Sequence, residues 1–165
     1  MKKRLIAILT FAVLSLMVAA PALATWTLTP SLVKRQARYL KWQVLCTSDG
    51  SSLAATDLMS LIEAVNPQLH KWLKGSSMML MTVSPGVSTV IPDTTINVTI
   101  SNDESHSIYA KTGFSKDAPT IGNDLSVDYN QYLPVYEALY LTLNDIGSSG
   151  DQVTLIFECW INGNK

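Results

Sequence analysis

The stretch TTINVTIS, residues 94–101, decides the fold class of this chain. Successive side chains of a β-strand point to opposite faces, so Ile96, Val98 and Ile100 face one way while the polar residues between them face the other. It is the cleanest alternation in the 165-residue sequence. The pattern predicts a strand with one buried face and one solvated face, which is typical of antiparallel sheets.

Segments on both sides of this strand extend the β pattern. Strands are predicted at 39–47, 78–83, 107–112, 138–143 and 153–161, with clusters of Gly, Ser, Asn and Asp between them. The last two segments are joined by residues 144–151, and we expect them to pair as a hairpin. Residues 114–130 are predicted to form a loop. The chain is therefore predicted to be mainly β, an antiparallel β-sandwich of Ig-like or jelly-roll-like kind.

One region departs from the β pattern. Between Leu53 and Lys74 the apolar residues recur at intervals of three and four, which predicts amphipathic helix. Asn66-Pro67 interrupts this pattern, because proline removes a backbone donor and restricts the residue before it. We therefore predict a short helical insertion after the first main strand, residues 39–47.

The N-terminus has the layout of an export signal. Three cations in Met1-Lys2-Lys3-Arg4 precede an uncharged apolar stretch from Leu5 to Ala20, and Ala22 and Ala24 fit a signal peptidase. Residues 1–24 are thus predicted to be a cleaved signal peptide, and residues 25–165 a single β-sandwich domain. The apolar stretch is shorter than the roughly 20 residues of a spanning helix, so no stable membrane anchor is expected. The predicted location is the periplasm, the cell surface or the extracellular space.

The charge of the predicted mature chain argues against one class of partner. The signal peptide holds three of the 12 basic residues and none of the 13 acidic ones, which leaves a formal charge of −4. Binding of nucleic acid normally requires a basic surface, so no nucleic-acid partner is expected. The one local basic cluster comprises Lys34, Arg35, Arg38 and Lys41. We interpret it as a solvated strand edge that charges protect from pairing.

The two cysteines, Cys46 and Cys159, are predicted to form a disulfide. Export would place them where thiols are oxidised, and the alternation of their segments directs both side chains to the buried face. Such a bridge would join the first main strand to the last. The alternative is a pair of buried, unbridged thiols, since cysteine is often buried without a partner.

No motif demands a particular chemistry. The two histidines, His70 and His106, have no zinc-ligand spacing around them, the calcium-loop pattern is absent, and no GxSxG elbow occurs. Paired carboxylates for hydrolysis are not singled out by any pattern. We therefore predict no catalytic residue, no metal site and no cofactor, and we expect a protein that is not an enzyme.

Three aromatic residues are candidates for stacking on a ligand: Tyr132, Tyr136 and Trp160. The tyrosines are four positions apart with Pro134 between them, and a bend at Pro134 would keep them from forming one buried row. Trp160 falls on the face of the last strand opposite Phe157 and Cys159. A second sheet or the helix could cover that face, which is the interpretation we favour; otherwise the ring is free to stack on a sugar.

The chain also resembles small uncharacterised phage-particle β-sandwich proteins. The resemblance rests on the order of Tyr39-Leu40-Lys41-Trp42, Val83-Ser84-Pro85-Gly86, residues 92–100 and a closing pair, residues 134–143 and 150–155. It covers roughly the last 90 residues and lies in the order of elements. It implies a structural role and no enzymatic residues.

The function predicted from these observations is an exported, non-catalytic structural or binding module of the periplasm or cell surface. The expected partner is a protein, or a second copy that associates through edge strands. A glycan is the alternative ligand. A small secreted hydrolase and a phage-particle-associated structural protein are the alternative functions.

Overall fold

The computed structural model describes residues 25–86, 91–102, 107–116, 120–124, 133–135 and 138–161. The predicted signal peptide, residues 1–24, lies outside the described residues, as do Tyr132, Tyr136 and His106.

The chain is mainly β, as predicted. Its strands are β1 Thr27–Gln36, β2 Tyr39–Thr47, β3 Leu53–Asp57, β4 Ser76–Pro85, β5 Ile96–Ser101, β6 Ser107–Phe114, β7 Thr120–Asp124, β8 Leu133–Pro134, β9 Tyr140–Leu143 and β10 Gln152–Ile161. Two helices, α1 Leu58–Val65 and α2 Pro67–Leu73, lie between β3 and β4.

The strands form two antiparallel sheets. The larger sheet has the order β1-β2-β10-β4-β7, and β8 also pairs with β4, which makes six strands in the described part of the chain. The smaller sheet has four strands in the order β3-β9-β5-β6. β2 and β10, which lie far apart in sequence, are direct neighbours near the centre of the larger sheet.

One hydrophobic core collects the buried faces of both sheets, an arrangement consistent with a β-sandwich. The alternating residues of β2 and β10 line it from the larger sheet, and those of β5 and β9 from the smaller one. Trp42 and Phe157 are cross-strand partners whose rings stack with centroids 4.4 Å apart. Burial and aromatic stacking together make this pair a major apolar contact of the larger sheet.

Side-chain caps set the boundaries of the helices. Asp57 begins α1, since its Oδ1 accepts hydrogen bonds from the backbone N–H groups of Met59 at 2.9 Å and Ser60 at 3.3 Å. Asn66 ends α1 and caps α2, where its Oδ1 accepts from the N–H of Leu69 at 3.0 Å. Pro67 stands at the start of α2, where its missing N–H costs nothing. The interruption predicted at Asn66-Pro67 is thus confirmed.

Four strands were not expected from the sequence: β1, β3, β7 and the two-residue β8. β3 lies at the start of the segment predicted to be helical. β1 lacks alternation because Pro30 and the neighbouring pair Leu32 and Val33 break the pattern, and most of the strand is exposed at the edge of the sheet. β7 lies inside the segment predicted to be a loop. β1 and β7 are each added to the larger sheet by pairing with a stronger strand, β2 and β4 respectively.

The predicted hairpin between the last two strands is wrong. β9 pairs with β3 and β5, while β10 pairs with β2 and β4, so the two strands belong to different sheets. The connection is held at its start by Asn144, whose Oδ1 accepts from the N–H of Asn97 at 2.6 Å. It is held at its end by the carbonyl of Asp151, which accepts from the N–H of Ser48 at 2.8 Å. These contacts fix the two ends of the connection that leads from the smaller sheet to the larger one.

Within the described ranges, no helix combines the length and the apolar character that crossing a membrane requires.

Candidate functional site

Trp160 is the most exposed large aromatic side chain described. It lies near the end of β10 and retains 43% of its surface in contact with solvent. The favoured interpretation, that a second sheet or helix covers this face, is wrong. The smaller sheet and the helices pack against the buried face of the larger sheet, and Trp160 lies on the opposite face. Trp160 is therefore available for contact with a ligand.

Tyr39 lies beside Trp160 on the neighbouring strand. The two residues are cross-strand partners in the β2–β10 pairing, and directly opposite residues have Cβ atoms about 5 Å apart. The phenol group donates a hydrogen bond to Glu158. Burial, followed by this hydrogen bond and the charge of Glu158, raises the pKa of Tyr39 to about 12. Tyr39 is thus a fixed, protonated ring next to an exposed one.

Lys41 and Glu158 complete the group. They are cross-strand partners one step along the same face, and Nζ of Lys41 lies 2.9 Å from Oε1 of Glu158. Burial alone would raise the pKa of Glu158, but hydrogen bonds from Lys41 and Tyr39 and the charge of Lys41 hold it below the ordinary value. The carboxylate stays ionised at neutral pH. We call Tyr39, Lys41, Glu158 and Trp160 the Trp160 cluster.

Chemically, the Trp160 cluster suits binding better than catalysis. An exposed indole can stack on an apolar ring face, while the ammonium group of Lys41 can donate further hydrogen bonds and the phenol oxygen of Tyr39 can accept one. Glu158 already accepts two hydrogen bonds from its neighbours, so its pKa is not raised toward that of a general acid at neutral pH. No group of three or more His, Cys, Asp or Glu residues able to hold a metal occurs in the described part of the chain.

The sequence singled out Trp160 but missed its three neighbours. Tyr39 and Lys41 are two positions apart, as are Glu158 and Trp160, and alternation along a strand places each pair on one face. The sequence carried no signal that β2 and β10 pair with Tyr39 opposite Trp160. The other two predicted aromatics, Tyr132 and Tyr136, are not described; the strand between them in sequence, β8, pairs with β4 at Ser77 and Met78.

The predicted disulfide does not form. Cys46 and Cys159 are both free and buried. They lie on neighbouring strands, but Cys46 is opposite Val153, six positions from Cys159. At about 3.3 Å per residue this offset is about 20 Å, whereas disulfide-bonded Cα atoms lie within about 7 Å. The alternative interpretation, two buried and unbridged thiols, is the one observed.

The surroundings of the two thiols make them unreactive. Burial raises the pKa of Cys46 far above its ordinary value. Burial is also the main reason that the pKa of Cys159 rises to about 12, although Sγ accepts a hydrogen bond from Nε1 of Trp42 at 3.4 Å. A nucleophilic cysteine needs a lowered pKa and access to solvent. Neither thiol has these properties.

No protein-family model and no curated protein matches this chain.

Proposed function

We propose that this chain is an exported, non-catalytic structural or binding module of the periplasm or cell surface, and that it binds a glycan through the outer face of its six-stranded sheet. The observation that carries the proposal is Trp160, an aromatic ring 43% exposed on the strand face opposite the core. Sugar rings present apolar C–H faces that pack on such rings, and exposed aromatic side chains with polar neighbours are a common form of ligand recognition.

The neighbours of Trp160 add polar groups at defined positions. Glu158 holds Lys41 at 2.9 Å and accepts from Tyr39, so the three polar side chains restrain one another. Binding by ordered groups loses less conformational entropy than binding by free ones. The arrangement therefore supports a binding surface that is formed before the ligand arrives.

The finer architecture belongs to the same proposal. We propose an Ig-like or jelly-roll-like sandwich, because two antiparallel sheets share one core and sequence-distant strands pair at the centre of the larger sheet. Such folds leave a strand face or a loop end free for ligands.

The edge strand β1 supports an alternative role in assembly, including one of the phage-particle kind. It is a long strand at the edge of the larger sheet, and Leu32 and Val33 are 38% and 48% exposed. Two features weaken this edge as a pairing surface. Pro30 supplies no backbone donor, and the register shifts between Leu32 and Lys34, where a bulge disturbs the ladder. The Trp160 cluster is thus the better-supported surface.

A glycan array tests the proposal directly. Residues 25–165 should bind at least one class of immobilised oligosaccharide, and Trp160→Ala should reduce binding about tenfold, since stacking contacts contribute up to about 1.5 kcal/mol beyond burial. Trp160→Phe should bind more strongly than Trp160→Ala. The matched control is Val65→Ala, which removes an exposed apolar side chain, 59% accessible, from α1.

All variants should show the thermal unfolding of the parent chain, because the replaced side chains are exposed. Absence of binding to every glycan on the array would refute the glycan proposal. Equal binding by the parent and Trp160→Ala would place the ligand elsewhere.

A further inference from the structure

The β1–β2 hairpin concentrates positive charge against the trend of the chain. Lys34, Arg35, Arg38 and Lys41 lie within eight positions, and no Asp or Glu occurs from Thr25 to Ser48. The predicted mature chain is nevertheless acidic, with a formal charge of −4. These four cations therefore lie in a stretch of sequence that contains no acidic residue.

Four of the described carboxylates lie at the other end of the same strands: Asp49, Asp93, Asp145 and Asp151. Ser48, which follows β2, binds the carbonyl of Asp151, which precedes β10, and Asp93 and Asp145 lie in the adjoining loops. The antiparallel strands β2 and β10 extend between that end and the tip of the β1–β2 hairpin. At the tip, the N–H of Ile161 donates to the carbonyl of Arg38 at 2.7 Å. The sheet thus has an acidic end and a basic end, and Trp160 lies at the basic end.

The strand register places Lys34, in addition to Lys41, on the face that carries the Trp160 cluster. Lys34 is the cross-strand partner of Lys41, so the two ammonium groups project from the same face of adjacent strands. Like charges directly opposite each other destabilise a sheet. Lys41 is neutralised by Glu158, but Lys34 has no carboxylate within 4.0 Å among the described residues.

The four cations differ in whether they contact a partner within the protein. Lys41 pairs with Glu158, and the guanidinium group of Arg35 lies 4.2 Å above the ring of Trp72. Arg38, at the hairpin tip next to Tyr39, has no acidic partner in the described ranges, as is also true of Lys34. Lys34 and Arg38 are thus the two cations whose positions internal contacts do not account for.

We infer that the ligand of the Trp160 cluster is an acidic glycan whose carboxylate or phosphate groups contact Lys34. The inference rests on the proposed glycan function and adds the charge of the ligand. Lys34 lies two strands from Trp160, about 10 Å across the sheet. The ligand is an extended chain, with one ring on Trp160 and an anionic group toward β1.

Two glycans with the same sugar backbone, one with free and one with methyl-esterified carboxylates, test the inference. We would titrate residues 25–165 with hexagalacturonate and with its fully methyl-esterified form by isothermal calorimetry. The acid form should bind several-fold more tightly at low salt, and the difference should shrink at high salt because exposed charges are screened. The variant Lys34→Gln should reduce this preference about threefold.

The controls separate the inference from its alternatives. Lys71→Gln removes an exposed cation of α2 and should keep the preference for the acid form. If both forms bind equally through Trp160, the glycan function stands and the charge inference fails; if neither form binds, the glycan function fails for this ligand class too. A Lys34→Gln variant that keeps the preference would overturn the inference, and one that also dimerises would show that Lys34 protects the β1 edge.

Discussion

At the scale of single residues, Glu158 is the group on which the Trp160 cluster depends. It accepts from both Lys41 and Tyr39, and these contacts lower its pKa although burial alone would raise it. The same hydrogen bond helps to raise the pKa of Tyr39 to about 12, after the larger effect of burial. One carboxylate therefore orders two side chains on the proposed binding face.

We expect Glu158→Gln to destabilise the protein by about 1 kcal/mol at neutral pH, the upper size for a partly exposed ion pair. Because the pKa of Glu158 is lower in the folded than in the unfolded chain, its contribution is complete above the ordinary value of about 4.3. The contribution is lost as the pH falls through the lowered pKa. Urea unfolding of both chains across this range measures the difference, and a gap that persists at the acid limit would contradict this assignment.

At the scale of elements, short polar segments decide where the chain changes structure. Asp57 ends β3 and begins α1 in a single step, and its carboxylate accepts from two N–H groups that the helix cannot satisfy. Asn66 performs both roles between the helices. The helical insertion is thus bounded by caps as well as by its apolar pattern.

Asp57→Ala should lower the free energy of unfolding by about 1 kcal/mol, since it leaves two N-terminal donors of α1 without their acceptor. Asp57→Asn is the matched control, because asparagine caps helices about as well as aspartate does. Chemical denaturation followed by far-ultraviolet circular dichroism measures both changes. Equal losses in the two variants would show that the charge of Asp57, and not its capping bonds, is what matters.

At the scale of the whole molecule, the accessibility of the two thiols measures how stably the core is packed. Cys46 and Cys159 are fully buried on β2 and β10, the neighbouring strands near the centre of the larger sheet. Reagents can reach them only when these strands separate, and separating central strands amounts to global unfolding. Their protection should therefore follow the free energy of unfolding of the protein.

Alkylation of residues 25–165 should modify neither cysteine under native conditions and both in denaturant, with or without a reductant, as whole-protein mass spectrometry would show. Phe157→Ala, which removes the ring stacked on Trp42, should speed native labelling of both thiols by weakening the core by about 3–5 kcal/mol. A chain that is alkylated in denaturant only after reduction would contain the disulfide that the strand register excludes.

The β class, most strands and the break at Asn66-Pro67 followed from the sequence because each is a local property. Alternation over a few residues predicts which face is buried. Proline removes its own backbone donor, so it interrupts a helix wherever it stands in the interior. The same alternation predicted that Cys46, Cys159 and Phe157 face the core and that Trp160 does not. β1 escaped prediction because an edge strand with Pro30 is defined by its partner and not by its own pattern.

What only the tertiary structure decided is which strand lies beside which, and in what register. The sequence alone predicted a strand pair between β9 and β10 and a bond between Cys46 and Cys159; the structure places the strands in different sheets and the sulfurs far apart along their strands. The same register brings Tyr39 and Lys41 beside Trp160 and Glu158. The physical reason is that strand pairing joins residues more than a hundred positions apart. The pairing is made by backbone hydrogen bonds, which nearly every residue type can form, so no local sequence pattern specifies the partner strand or the register.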